Sequence, residues 1–517
     1  MAVVVRSFSI LGVDGYPVDI ETDVISGMPS ITIVGMGDTA VREARERLQA
    51  AVVNAKYDFP SRKVVINLAP SDIKKSGSNF DLAMAVGLLV KSGQLIVAEN
   101  IDIKDYAFIG ELSLTSQLRP CSGVLPMAIA ARNAGVKNLV VPVQNLREAS
   151  HVKDINVMGL STLREVSELL RGRPMQERMP DAAEGGACGV VCQDDFSEVR
   201  GQDSLIKYIQ IAAAGGHNML MIGTPGCGKS MIAKRIPTIL PAMTEEEALE
   251  VTKIYSVAGE LKERGSLIEK RPFRSPHHNA STNSLIGGGN DAKPGEISLA
   301  HNGVLFLDEI AEFNKNTLNS LRQPMEDRAV TVSRVRHTHR YPCSFMLVAA
   351  MNPCPCGYHG TERCKCTDYE ILKYRQKLSG PILDRLDIQK YVSPVNFMDL
   401  SGYPGGKSSR ELKEQVEFAR IVQEKRYFGI EGVNCNAQMN SSLIKEHCSL
   451  DSESMRIMEK AYERYKFSAR SYYKFLRVAR TFADFDGSAV IRRQDVINAL
   501  MSRDLEKEEC GMVVVQH

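Results

Sequence analysis

The sequence contains no uninterrupted apolar run of the roughly 18 residues that a membrane helix needs, so no membrane span is expected. It also lacks an excess of either charge: 64 Lys and Arg face 62 Asp and Glu, for a net charge of +2. No global field therefore calls for an acidic partner, and any attraction to nucleic acid must come from a local cluster of cations. The opening residues, Met1-Ala2-Val3-Val4-Val5-Arg6, are apolar but carry no basic leader segment and no usable cleavage site. That pattern predicts a cytoplasmic protein. Internal repeats and low-complexity tracts are absent too.

What is present is a chain of 517 residues, too long for one core, with 44% apolar and 24% charged residues as in ordinary soluble proteins. Residues 1–171 read as an α/β unit. Short β-rich runs (Ile31–Val34, Val64–Leu68, Asn138–Val141) alternate with helical patterns near Thr39–Asn54, Phe80–Ser92 and Val124–Ala134. Residues 172–194 are polar, bear Gly and Pro, and have no period, which predicts a linker. Alternating strands and helices resume over 195–395. From 396 to 517 the pattern is helical, amphipathic at Glu411–Tyr427, Ser452–Tyr465, Ala469–Phe485 and Arg493–Met501.

The strongest local signal is Gly223-Thr224-Pro225-Gly226-Cys227-Gly228-Lys229-Ser230. The apolar strand Met219–Ile222 precedes it and the helical run Met231–Ile236 follows, the context that a phosphate-binding loop requires. Glycines let successive amides turn inward on phosphates, Lys229 would reach the terminal phosphates of ATP, and the Ser230 hydroxyl would ligate Mg2+. A second apolar run, Val304–Leu307, ends in Asp308 and Glu309. Asp308 is expected to hold the Mg2+, and Glu309 to polarise the attacking water. A third run, Ser344–Ala350, ends at Met351 and Asn352.

Eight of the twelve cysteines are scattered singly and read as small buried hydrophobes kept reduced. The other four, Cys354, Cys356, Cys364 and Cys366, form a C-x-C…C-x-C set within a loop over 354–366. Four thiolates so close predict a tetrahedral Zn2+ site that stiffens the loop. Free thiols and labile disulfides are the alternatives.

The order of these motifs resembles that of AAA+ ATPases. Asn352 resembles the sensor-1 position. Arg385, in Gly380-Pro381-Ile382-Leu383-Asp384-Arg385, resembles the arginine finger that reaches a neighbour's γ-phosphate, and Arg470, after Ser468-Ala469, resembles sensor 2. Over essentially its whole length the chain is similar to the magnesium-chelatase-like YifB/ComM family of bacteria. The segments Phe108–Leu114 and Leu118–Lys137 resemble the Lon-protease fold. Asn79 and Leu125 stand where that fold's catalytic serine and lysine align, so peptidase activity is not expected. The resemblance implies three parts: a Lon-protease-like N-terminal α+β domain, a P-loop AAA+ domain with a parallel sheet, and a C-terminal helical lid.

A basic hairpin supplies the local cationic cluster. Arg334, Arg336, His337, His339 and Arg340 lie within seven residues. They suit either a solvated strand edge or phosphates of DNA, and the resemblance favours DNA. It further implies a homo-hexameric helicase that promotes branch migration during recombination in natural transformation. The rivals are a regulatory ATPase that remodels a protein partner and a magnesium-chelatase motor subunit.

Overall fold

The computed structural model describes residues 2–35, 39–71, 75, 77–174, 194–261, 266–289, 292–334, 337–394, 406–465 and 468–505, with backbone alone at 39–42, 333–334 and 337. The chain divides into two compact units, Met1–Cys188 with Ala248–Ile268, and Gly189–Glu247 with Glu269–His517. Most of the expected linker, and the expected boundary at 395–396, lie outside the described residues.

The first unit is built on one mixed sheet. Its strands are Val3–Leu11 (β1), Asp14–Ile25 (β2), Ser30–Val34 (β3), Lys63–Ala69 (β4), Tyr106–Phe108 (β5), Asn138–Pro142 (β6) and Asn156–Leu160 (β7). They run in the order β3-β4-β2-β1-β5-β6-β7. β2 is antiparallel to both β1 and β4, and the remaining neighbours are parallel. In β4 the apolar residues Val64, Ile66 and Leu68 alternate onto one buried face, as the two-residue period of a strand dictates. The helix Asp81–Lys91 is apolar around its first turns, and Asp81 through Leu89 are all buried beneath the sheet. Asp81 can be buried there because Arg47 Nε and the Leu112 amide donate to it at 2.9 and 3.3 Å. Burial nonetheless raises its carboxyl to about 6 against those partners.

Two features of this unit escape sequence reading. The central hairpin β1–β2 carries no turn motif beyond Gly12, and its polar interruptions hide the strand period. Residues 248–268, grouped by sequence with the ATPase segment, belong here. Leu249 packs beside Ala128 and Val141, Ser256 Oγ donates 2.5 Å to Glu148 Oε1, and Lys253 Nζ lies 3.0 Å from Asp14. At the two positions aligned with a Lon catalytic pair, Asn79 Nδ2 donates 2.6 Å to the Phe8 carbonyl and Leu125 is fully buried. Both side chains serve the core.

The second unit contains Met219–Ile222 (β8), Phe273–Arg274 (β9), Val304–Leu307 (β10), Ala329–Arg334 (β11), His337–Pro342 (β12), Met346–Met351 (β13) and Ile388–Tyr391 (β14). β11 and β12 form a separate hairpin, and the other five make an all-parallel sheet in the order β9-β10-β13-β8-β14. Every residue of β8, β10 and β13 is buried, as expected of parallel strands covered on both faces. β13, the strand leading to Asn352, lies between the two strands that lead to the phosphate loop and to Asp308.

The C-terminal helices are Ser409–Arg426, Ser441–His447, Ser452–Tyr465, Ala469–Phe485 and Arg493–Leu500. Ser408 and Glu411 cap each other at the first helix start, satisfying amides that have no partner inside the helix. Val416, Ala419, Phe475, Ala479 and Phe482 share one core with Ile209, Ala212 and the sheet. A buried polar bridge ties them further: His217 lies 3.1 Å from Asp387 and 2.8 Å from Thr481. Burial alone would raise Asp387, but the His217 bond and the charges of Lys474 and Arg477 outweigh it and hold the carboxyl at about 2. Among the described residues no helix is long and apolar enough to cross a membrane.

Candidate functional site

At the C-terminal end of β8 the chain turns through Gly226 and Gly228, with φ of +80° and +89°. L side chains rarely adopt that region, so the two glycines are what allow the loop its shape before helix Lys229–Ile239 begins. The result is a glycine-bearing loop that leads into a helix N-terminus, an arrangement suited to phosphate. Lys229 is nearly buried, and its ammonium donates to the Gly223 and Thr224 carbonyls at 2.6 and 3.0 Å and to Asn352 Oδ1 at 3.3 Å. Ser230 Oγ donates to Asp308 Oδ2 at 2.6 Å. Three parallel strand ends therefore bring Lys229, Ser230, Asp308 and Asn352 into one group. An Mg2+ ion would be held by the Ser230 hydroxyl and the Asp308 carboxylate, hard oxygen donors of the kind the ion selects.

Glu309 is half exposed and sits at the mouth of this group in a left-handed conformation, φ +49°. His278 Nδ1 approaches its carboxylate at 3.6 Å, and the His277 ring lies against His278 with centroids 4.1 Å apart. Sequence reading gave neither histidine a role. Their only signal is position, a short way past a two-residue strand that neighbours β10.

Arg385 and Arg470 lie elsewhere. Arg385 stands just before β14, its carbonyl bonded to Asn218 Nδ2 at 3.1 Å and its guanidinium paired with Glu326. Arg470 is exposed in the first turn of Ala469–Phe485. Both line a cavity with Asn218, Gly303 and Met346, where β8, β10 and β13 begin. The phosphate loop and the carboxylates follow the other ends of these strands. A four-residue strand spans on the order of 13 Å. The two arginines thus lie across the sheet from their own chain's phosphate loop.

The four clustered cysteines converge. Cys354 Sγ is 3.3 Å from Cys356 Sγ and 3.9 Å from Cys364 Sγ, Cys356 and Cys364 are 3.7 Å apart, and all four sulfurs lie within 4.8 Å of one another. Four thiolates around Zn2+ at the usual bond length stand about 3.8 Å apart, so the set fits a tetrahedral ion. The backbone amides of Lys365 and Tyr358 lower the Cys356 thiol to about 6, whereas burial pushes the Cys354 thiol up to about 12. His359 is not part of the convergent set.

In the basic hairpin Ala329 pairs with Pro342 and Arg334 with His337. Arg340 is exposed, His339 is half-buried against Tyr341, and Tyr341 anchors the strand through a 2.8 Å bond to the Ala292 carbonyl. Arg336 and the side chains of Arg334 and His337 fall outside the described residues.

Comparison with known proteins agrees with this geometry. The family model "Magnesium chelatase, subunit ChlI" matches residues 195–400, "Subunit ChlI of Mg-chelatase" matches 20–145, and "Magnesium chelatase, subunit ChlI C-terminal" matches 406–503. The uncharacterized protein YifB of Escherichia coli (strain K12) is 39% identical over 506 residues, 98% of this chain and 97% of that protein. The competence protein ComM of Haemophilus influenzae is 38% identical over 505 residues, 96% of each chain. A Lon protease of Chloroflexus aurantiacus is 26% identical over 141 residues, 26% of this chain and 16% of that enzyme. The chain belongs to the YifB/ComM family of magnesium-chelatase-like AAA+ ATPases.

Proposed function

We propose that the protein is an ATP-driven ring motor acting on DNA in the cytoplasm, a homo-hexameric helicase that promotes branch migration in recombination and natural transformation. The observation that carries the ring is the split of the nucleotide machinery across one sheet. Lys229, Ser230, Asp308 and Asn352 gather where β8, β10 and β13 end, while Arg385 and Arg470 line a cavity where those strands begin. Two copies set with the strand starts of one against the strand ends of the other would bring the arginines of one to the triphosphate of the next. In that arrangement the Gly223–Ser230 loop holds ATP, Ser230 and Asp308 hold Mg2+, and Glu309 with Asn352 orients the attacking water. Arg385 and Arg470 then neutralise the charge that develops on the transferred phosphoryl group.

DNA as the substrate is supported by the basic hairpin and by the name of the Haemophilus relative, a competence protein. Exposed Arg340, with Arg334, Arg336, His337 and His339, would follow a phosphate backbone without reading bases. Zn2+ in the Cys354, Cys356, Cys364 and Cys366 set would have a structural role. We expect single-stranded or forked DNA to raise the ATPase rate several-fold, and Arg340→Ala to weaken that stimulation and lessen its sensitivity to salt. A rate indifferent to DNA would sink the helicase reading and leave a regulatory ATPase that remodels a protein partner. Stimulation by a tetrapyrrole-bearing partner instead would favour a magnesium-chelatase motor.

A further inference from the structure

The clustered cysteines differ from the other described cysteines in access and in company. Cys227, Cys343, Cys435 and Cys448 are buried. Burial pushes the thiols of Cys121, Cys343 and Cys448 up to about 12 and raises that of Cys227. Buried thiols of that kind are inert. In the cluster only Cys354 is buried, whereas Cys356, Cys364 and Cys366 are half-buried. Glu362, Arg363 and Lys365, which alternate with the later cysteines, are exposed, so this side of the loop faces solvent. Cys356 Sγ has Cys354 Sγ at 3.3 Å and Cys364 Sγ at 3.7 Å. A disulfide is about 2.05 Å long, so either neighbour needs to travel less than about 2 Å to form one.

The same loop adjoins the nucleotide machinery. It begins two residues past Asn352, whose Oδ1 accepts from Lys229 at 3.3 Å. Gly357 lies so near the phosphate loop that a Cβ there would stand 2.8 Å from Pro225 Cγ. At the far end, the helix Asp368–Arg375 starts two residues past Cys366 under a reciprocal cap from Thr367 and Glu370. Between these fixed ends the loop holds itself by turn bonds such as Gly357 N to Cys354 O, Thr361 N to Tyr358 O and Cys364 N to Thr361 O. The convergent sulfurs are what closes it across its width.

Building on the reading that the four thiolates hold Zn2+ beside an ATP-hydrolysing loop, we propose that the cluster is an oxidant-sensitive switch on the ATPase. Hydrogen peroxide joins Cys356 to a neighbouring cysteine, empties the metal site and stops hydrolysis. In the first step the Cys356 thiolate attacks one peroxide oxygen, the O–O bond breaks, the sulfur is oxidised to a sulfenic acid and hydroxide leaves. In the second, the thiolate of Cys354 or Cys364 attacks that sulfur, the S–S bond forms and a second hydroxide leaves. Two thiolates and one peroxide thus give one disulfide and two hydroxides, with two electrons passed from sulfur to oxygen. The two thiolates that remain are half of a tetrahedral set. The loop then loses its closure, and Pro225 and Asn352 lose the surface beside them. A dithiol reductant reopens the disulfide by exchange, which restores the ligands.

The test follows metal, disulfide and hydrolysis together in the full chain treated with hydrogen peroxide. Zn2+ captured by a chromophoric chelator should appear in step with a loss of ATPase activity of at least about tenfold, the effect of displacing groups that position the nucleotide. Peptide mapping should find Cys356 joined to Cys354 or Cys364, and dithiothreitol with Zn2+ should restore activity. A chain that carries no Zn2+, or hydrolyses no ATP, before treatment removes the underlying reading and the switch with it. If Zn2+ is present and peroxide leaves it in place, or releases it while hydrolysis continues, the switch is wrong although the metal reading stands. A loss that dithiothreitol and Zn2+ do not reverse also overturns the switch, because it marks oxidation past the disulfide. Cys227, inside the phosphate loop, is the rival target. Cys227→Ala should lose the same fraction of its own activity on treatment, and resistance to peroxide in that variant would overturn the proposal. Release of Zn2+, which needs no hydrolysis, is read in the same variant should its activity be weak.

Discussion

Glu309→Gln is expected to leave ATP binding intact and to lower hydrolysis by about a hundred- to ten-thousand-fold, the usual contribution of a positioned general base. The substitution removes a charge and nothing that the fold needs. The Glu309 side chain is 52% exposed, and among the described residues it pairs with His278 at 3.6 Å. Its backbone amide, bonded to Asp308 Oδ1 at 2.9 Å, is untouched by the change. The thermal midpoint should therefore move by no more than about a degree or two, since a surface change of this kind falls within roughly ±0.5 kcal/mol. Single-turnover hydrolysis measured beside nucleotide affinity separates the two effects. A drop of less than tenfold in the chemical step, with affinity unchanged, would remove Glu309 from the proposed role. Loss of affinity as well would mean that the carboxylate shapes the magnesium site, which we propose for Ser230 and Asp308.

The contrast between what could be read in advance and what could not follows from how each part is encoded. The phosphate loop was legible because its chemistry is contiguous: two positive-φ glycines, a lysine and a serine within eight residues, flanked by a buried strand and a helix. Asp308 and Asn352 were legible because parallel strands place their C-terminal ends together, so any polar residue closing an apolar run becomes a candidate. The cavity that Arg385 and Arg470 line obeys no such rule. Its cations come from Arg328 just before β11, Arg385 just before β14 and the helices Ser409–Arg426 and Ala469–Phe485, and only packing unites them. The spacing of Arg470, Lys474 and Arg477 did carry a signal. The same helix also buries Phe475, Val478, Ala479 and Phe482, however, and its amphipathic pattern accounts for the apolar face alone. Residues 248–268 were misgrouped for a similar reason, because a helix does not announce which sheet its apolar side will meet.

Removing the metal from the cysteine set is expected to lower ATPase activity by at least about tenfold, through contact rather than through any shared ligand. The loop that carries the sulfurs is seated on the phosphate loop. A Cβ built at Gly357 would stand 2.8 Å from both Cδ and Cγ of Pro225 and 4.0 Å from Asn352 Cγ. Cys354 is buried, but Cys356, Cys364 and Cys366 are only half-buried, and a few backbone bonds such as Gly357 N to Cys354 O and Cys364 N to Thr361 O tie the loop to itself. Fixing such a segment costs about 1–2 kcal/mol per residue in backbone entropy, which so little apolar burial does not offset. A structural Zn2+ site contributes about 10–16 kcal/mol of apparent binding energy in small zinc domains, enough to hold the loop in place. Without it, Pro225 and Asn352 lose the surface that fixes them, and with Asn352 goes a partner of Lys229. Metal analysis of the purified chain should give close to one Zn2+ per protomer, and a chelator followed by Zn2+ should lower hydrolysis by that factor and then restore it. Gly357→Ala offers an independent route to the same outcome. At φ +86° it strains the backbone and drives a methyl group into Pro225, so activity should fall with the metal still bound. Full hydrolysis in a chain shown to be free of metal would mean that packing alone holds the loop, and the coupling between the two sites would be wrong.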